Sequence, residues 1–188
     1  CFLNAAPHFS IDGNSLLMSV GDGIAVINPR TGQVIRQIGV KKHNRSVEVY
    51  QLDSTAKLLL TAAKNHVIVW DFEKGTELRR IPMYQEFDGV TALNIRPDEP
   101  VVQLITGNGF YAEWDIRTGD RVRTGNLTSG QRIDAAAIAP GGNIAAIALD
   151  NQGTVDLVDL ATGEFGIRFH NLHQDRQWFT ETAYGHID

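Results

Sequence analysis

"HVIVWDFEKGTELRRI", residues 66–81, runs from an apolar stretch through Trp70-Asp71 to Gly75 and then into a second stretch. The same shape recurs as "GIAVINPRTGQVIRQI" from Gly23, "FYAEWDIRTGDRVRTG" from Phe110 and "TVDLVDLATGEFGIRF" from Thr154. An acid or amide closes each first run, at Asn28, Asp71, Asp115 and Asp159, in steps of 43, 44 and 44 residues. A glycine follows four residues later each time, at Gly32, Gly75, Gly119 and Gly163. A period this steady, with no insertion needed, marks a repeat architecture and takes precedence over any local reading.

The chemistry of one unit predicts a hairpin. Val67, Ile68, Val69 and Trp70 are β-branched or aromatic, which favours a strand. An Asp or Asn at its end accepts a backbone hydrogen bond from two residues on and starts a turn. Glycine then takes a left-handed conformation without steric cost. The glycines are therefore expected at equivalent turns with positive φ. Trp70 and Trp114, each ending an apolar strand, are expected to be buried.

Two further strands precede each hairpin. They are "FLNAAPHFS" (2–10) and "SLLMSV" (15–20), "SVEVYQL" (46–52) and "KLLLTAA" (57–63), "GVTALNI" (89–95) and "PVVQLIT" (100–106), and "RIDAAAIA" (132–139) and "NIAAIAL" (143–149). Each unit is thus predicted to be four antiparallel strands, at 2–39, 46–82, 89–124 and 132–170. Strands apolar on both faces, such as "NIAAIAL", predict sheets sandwiched between other sheets. Radial packing of four-stranded blades satisfies that demand. The Ala135–Ala139 region reads as a crowded innermost strand. Residues 171–188, with "QWFTETAYGHID" at 177–188, read as the start of a further repeat. Four blades plus one strand imply part of a larger ring, and 188 residues alone are expected to leave apolar blade faces uncovered.

The sequence resembles the Trp-Asp (WD) repeat β-propeller family over about residues 2–170. The resemblance rests on Trp70-Asp71, Trp114-Asp115, the "FSIDG" element at 9–13 and the spacing. It implies an all-β propeller of four-stranded blades, typically about seven to a ring, whose loop rims dock partner proteins. The chain departs from the family in lacking a Gly-His pair; "KKHNR" (41–45) and "NLHQD" (171–175) keep a His nearby. The Ser expected in the second blade falls near Ala62-Ala63, so the units are expected to be held by apolar packing rather than by the family's Asp-His-Ser/Thr-Trp hydrogen bonds. "IAVINPRTGQVI" and "VDLVDLATGE" also resemble bacterial propellers of surface-layer or quinone-enzyme type, which would imply ligand binding or enzyme activity. The Trp-Asp pairs favour the WD reading.

Composition narrows the remainder. Apolar content of 43% and charged content of 21% are ordinary for a globular protein. The net charge of −5 argues against a generic nucleic-acid binder. No apolar stretch approaches a membrane span. A lone Cys1 excludes an internal disulfide and fits the cytoplasm or nucleus. "GDG" (21–23) and "GNG" (107–109) read as turns, and "HNLH" (170–173) lacks a further ligand for a metal. No Ser-His-acid constellation assembles. The expectation is therefore no enzyme, no cofactor and no metal.

What remains is surface. Loops between units carry the residue types that anchor interfaces: His43, Arg45, Met83, Tyr84, Phe87, Arg132, His173 and Arg176. The sequence reading is a non-catalytic scaffold docking other proteins or further repeats of its parent chain. Two alternatives stand beside it. One is a ribonucleoprotein subunit touching RNA through loop basic residues. The other is a propeller binding a small ligand.

Overall fold

The computed structural model describes residues 5–43, 46–63, 66–83, 89–150, 153–172 and 177–182. Every regular element among them is a strand. The first sheet is β1 (His8–Phe9), β2 (Leu16–Val20), β3 (Gly23–Ile27) and β4 (Val34–Ile38). The second is β5 (Val49–Leu52), β6 (Leu58–Ala63), β7 (His66–Asp71) and β8 (Thr76–Pro82). The third is β9 (Val90–Ile95), β10 (Val101–Thr106), β11 (Phe110–Asp115) and β12 (Arg121–Asn126). The fourth is β13 (Ile133–Ile138), β14 (Ile144–Leu149), β15 (Thr154–Asp159), β16 (Phe165–Leu172) and β17 (Gln177–Thr182). Neighbours in sequence are neighbours in each sheet.

The repeated turn is built as its residues dictate. The side-chain oxygen of Asn28 accepts from the amides of Arg30 (2.9 Å) and Thr31 (3.2 Å), and that of Asp71 from Lys74 (2.9 Å). Asp115 accepts from Arg117 (2.7 Å) and Thr118 (3.2 Å), and Asp159 from Ala161 (2.7 Å) and Thr162 (2.9 Å). The glycine four residues on donates its amide back to the Asp or Asn carbonyl at 2.8 Å in all four sheets. Its φ is 71°, 66°, 82° and 77° in turn, the left-handed region that glycine enters freely. All four hairpins also shift register at one equivalent place, before Ile27, Trp70, Trp114 and Val158. The extra residue of each bulge lies on the outer strand, at Ile35, Leu78, Val122 and Gly166.

An arginine on the outer strand repeats with the same period. Arg36 donates to the Glu73 carbonyl, Arg79 to those of Ile116 (3.0 Å) and Arg117, and Arg123 to that of Ala161. Each therefore grips the next sheet's outer turn. The register confirms the equivalence, since Arg36, Arg79 and Arg123 stand opposite Val26, Val69 and Glu113. Ile167, opposite Leu157, occupies that position in the fourth sheet.

The chain forms two compact units, residues 1–90 with 115–120, and 91–114 with 121–188. Leu17, Ile24, Tyr50, Leu59, Ile68 and Trp70 centre one core; Ile105, Tyr111, Ile133, Ile147 and Val158 centre the other. Trp70 and Trp114 are 2% and 5% exposed. The Tyr50 hydroxyl reaches the carbonyls of Ala6 and Leu17, both at 2.7 Å, and burial pushes its pKa up to about 12.

Two expectations need correction. Of the strand expected over residues 2–10, the described residues hold only His8–Phe9, with Phe9 exposed. Its pairing ends where the Ser10 and Asp12 side chains take over the local hydrogen bonds, from Ser15 and Asn14. The alanines of β13 are not crowded: Ala135 and Ala137 are exposed, and Ala136 with Ile138 packs on the second core. Strand β14 likewise buries one face fully, through Ala145, Ile147 and Leu149, and leaves Ile144 exposed. Strand β17, within the stretch read as the start of a further repeat, pairs antiparallel with β16 from Ile167↔Thr182 to Leu172↔Gln177. The open edge of the long strand β16 offers unpaired amides and carbonyls, and the next extended segment satisfies them.

Gly163 tests the turn in isolation, because no atom lies within 4 Å of a Cβ built there. Gly163→Val should destabilise by about 1–3 kcal/mol, the strain of a β-branched residue at positive φ. Urea unfolding monitored by circular dichroism measures it; an unchanged midpoint would disprove the strain argument.

Candidate functional site

The second sheet holds a hydrogen-bonded chain that the sequence reading did not place. Trp70 is buried on the face that β7 shares with β6, where its Nε1 donates to the Thr61 hydroxyl at 2.8 Å. His43 Nε2 lies 2.8 Å from the same hydroxyl, and all three side chains are at most 2% exposed. The Thr61 hydroxyl therefore bridges the indole and the imidazole. His43 Nδ1 has no partner among the described residues. The Thr is Thr61, not a residue at 62–63, so the expectation of purely apolar packing is corrected here. The missed signal is register: Thr61 sits opposite Ile68, two positions along the sheet from the Leu59↔Trp70 pair, and so on the same face as Trp70's partner.

His43 stacks on His66, ring centroids 4.5 Å apart at 8°. Arg80 closes the cluster, donating to Glu77 at 3.0 and 2.8 Å and to the Lys42 carbonyl at 3.1 Å. Burial pushes the His43 pKa from its ordinary 6.5 down to about 4, with His66 and Arg80 acting in the same direction against Asp22 and Glu77. Burial and Arg80 lower His66 as well.

The third sheet carries a second polar network. Gln103, fully buried, donates from Nε2 toward Tyr111 Oη (2.8 Å), Glu113 Oε1 (3.0 Å) and the Gly142 carbonyl (2.8 Å). Asn94 donates to Gln103 Oε1 at 2.9 Å, and Arg96 to Glu113 Oε1 at 2.6 Å. Tyr111 also donates to Glu113. Burial, then that hydrogen bond, pushes the Tyr111 phenol above its usual range. Glu113 stands where the other units carry Val26, Val69 and Leu157, so alignment of the repeats alone marks it as unusual. Apart from Arg96 Nε, which has no partner among the described residues, the groups bond to one another, and a buried network of this kind rigidifies a core.

Three of the eight rim residues named from sequence lie among the described residues. His43 and Met83 are buried at 2% and 7% exposure. Arg132 is exposed. Arg45, Tyr84, Phe87, His173 and Arg176 lie outside the described residues. Of "HNLH", His170 is engaged by Glu181 at 3.0 Å and stacks on Phe179 at 4.1 Å. Among the described residues, no group of three or more His, Cys, Asp and Glu is placed to hold a metal ion.

A cleft of about 780 Å³ opens along the fourth sheet, lined by residues that no spacing in the sequence brings together. Leu127, Leu149, Val158 and Phe165 supply its apolar lining, and Asp156 and Arg168 its charge. Arg168 holds the buried Asp156 carboxylate by two hydrogen bonds, 2.7 and 2.8 Å.

No protein-family model matches the sequence, and no curated protein matches it. Among solved structures, that of U3-55K, a WD40 propeller protein, is similar with a TM-score of 0.70 at 14% identity. The match covers 89% of this chain and 51% of that one, so the chain spans about half the length of the structure it resembles. The four sheets are thus propeller blades of four antiparallel strands, the fourth extended by β17.

Two measurements probe the second blade. Thr61→Val keeps the shape and strips both buried partners of their hydrogen bond, and should cost about 1–3 kcal/mol in chemical unfolding. His43 is kept neutral in the folded chain but titrates near 6.5 when unfolded, so the unfolded state binds more protons below that pH. Stability should therefore be full above pH 6.5 and fall as pH drops toward 4. His43→Gln should flatten that slope in melting curves; an identical slope would remove His43 from the cause.

Proposed function

We propose that this chain is part of a WD-repeat β-propeller serving as a non-catalytic scaffold that docks other proteins into a larger assembly. The observation that carries the WD-repeat reading is the His43–Thr61–Trp70 hydrogen bonding on a strand that ends in Trp-Asp. It joins a loop His, a strand Thr and a strand Trp, three of the four members of that family's Asp-His-Ser/Thr-Trp network; His43 Nδ1, where the Asp would bond, has no partner among the described residues. The likeness of fold to U3-55K supports the same reading.

The distribution of polarity supports a scaffold. The buried polar groups of the second and third blades bond to one another, which suits holding strands and loops in fixed positions. The outer strand β12 is exposed along its whole length, and Arg132 is exposed beyond it. Rigid sheets that present loops and edges suit docking more than chemistry.

The test is capture of partners by the tagged chain from the cells that make it, with cross-linking and mass spectrometry. Discrete proteins should be recovered, unaffected by nuclease. Recovery should drop by about fivefold with Arg132→Glu, within the range for an interface arginine, while the melting temperature stays unchanged. Failure to recover any protein would overturn the scaffold reading. Recovery that is lost on nuclease treatment, with steep salt dependence, would point to RNA instead.

A further inference from the structure

The repeat puts Val158 where the second and third blades carry Trp70 and Trp114, at intervals of 44 residues. In the second blade the indole fills the gap between its own sheet and the loop leaving β4. Its Cζ2 is so close to Gly39 that a Cβ there would lie 2.8 Å away. His43, from the same loop, bonds the Thr61 hydroxyl that receives the indole N–H. In the fourth blade, loop residues Leu127 to Gln131, which leave β12, line the gap beside the same strand position. Val158 is far smaller than an indole, and Leu127 restores only part of the volume. Val158, itself 2% exposed, lines with these loop residues a cleft of about 780 Å³, within the range of ligand pockets.

Its walls match an aromatic ring bearing an N–H. Phe165 stands directly opposite Val158 across the hairpin, and the Arg168 guanidinium lies over the Phe165 ring at 5.0 Å. Asp156 lies two positions from Val158 on the same strand face and is 6% exposed. Arg168 donates one hydrogen bond to each of its oxygens, and each oxygen keeps further acceptor capacity. Glu164, exposed at the mouth, makes two carboxylates against one guanidinium.

We propose that this cleft is the docking site for a tryptophan side chain of a partner protein, from a segment carrying basic residues beside that tryptophan. The proposal rests on the scaffold reading and names the chemistry of its partner. The same fold fills this position with its own indole in the second blade. An indole needs a buried acceptor for its N–H, and Asp156 supplies one; a leucine would leave it unused. The excess of carboxylate charge at the mouth favours Lys or Arg flanking the ring.

Three acetylated, amidated tripeptides test this with the full chain: Lys-Trp-Lys with a 5-fluoroindole, Lys-Leu-Lys and Lys-Ala-Lys. Binding is followed by fluorine NMR for the first and by protein methyl shifts for all three. The tryptophan peptide should bind at least about tenfold more tightly than the leucine peptide, as expected for an aromatic anchor with a satisfied donor. Val158→Trp should abolish binding by filling the cleft with the chain's own indole. Glu164→Lys, at an exposed position, should weaken it about fivefold and reduce its salt dependence. The methyl signals of Leu127, Leu149 and Val158 should shift, which keeps the test decisive if Val158→Trp fails to fold. Equal affinity for the leucine peptide, shifts confined to other residues, or full binding by a folded Val158→Trp would overturn the proposal. No binding by a folded chain would also overturn it, and would leave the scaffold reading to stand or fall on partner capture.

Discussion

The outer turn of each blade is the constraint on which the rest depends. An Asp or Asn side chain captures amides two and three residues ahead, and a left-handed glycine brings the chain back. Capturing those amides turns the neighbouring carbonyls outward. Those carbonyls, at Glu73, Ile116, Arg117 and Ala161, are the ones the preceding sheet's arginine seeks. The same turn is followed by a bulge on the outer strand, at Ile35, Leu78, Val122 and Gly166. One short motif therefore fixes the hairpin register and the attachment to the neighbouring sheet. A charged donor on a backbone carbonyl is a stronger link than a neutral pair. Three in succession repeat with the chain's own period.

Within that frame each blade is furnished differently. The second is tied by a His–Thr–Trp chain and the third by a buried Gln–Tyr–Glu–Arg network. The fourth gives up both the tryptophan and the outer arginine, holding Val158 and Ile167 in their places. Partly unsatisfied polar groups in a low-dielectric core destabilise, so such networks persist where they are nearly complete. The cost of an indole's absence is different in kind. It leaves space rather than an orphaned charge, and the Asp156–Arg168 pair lines that space with polarity.

The periodic part of this structure was legible because it is local. Asn28, Asp71, Asp115 and Asp159 act on atoms within four residues, and Gly32, Gly75, Gly119 and Gly163 act through their own φ. Short-range chemistry of that kind can be read from spacing. The arginine series was present in the same period, at 36, 79 and 123, yet its meaning depends on carbonyls 37 and 38 residues away. His43 read as a loop residue for the same reason: its burial depends on Thr61 and His66, which only folding brings to it. The alanines of β13 misled because small apolar residues suit a crowded site and an exposed one equally. Glu113 was visible as an anomaly among aligned repeats, but not as the acceptor of three donors.

The sequence by itself determined the four-stranded unit, its repetition and the turn that closes it. These follow from backbone sterics and from hydrogen bonds closed within a few residues. Tertiary structure alone decided which polar residues became buried partners, that β17 would complete the edge of β16, and that the loss of a tryptophan would leave a cleft. Those outcomes depend on what surrounds each side chain, and contacts between sheets are set by packing rather than by period.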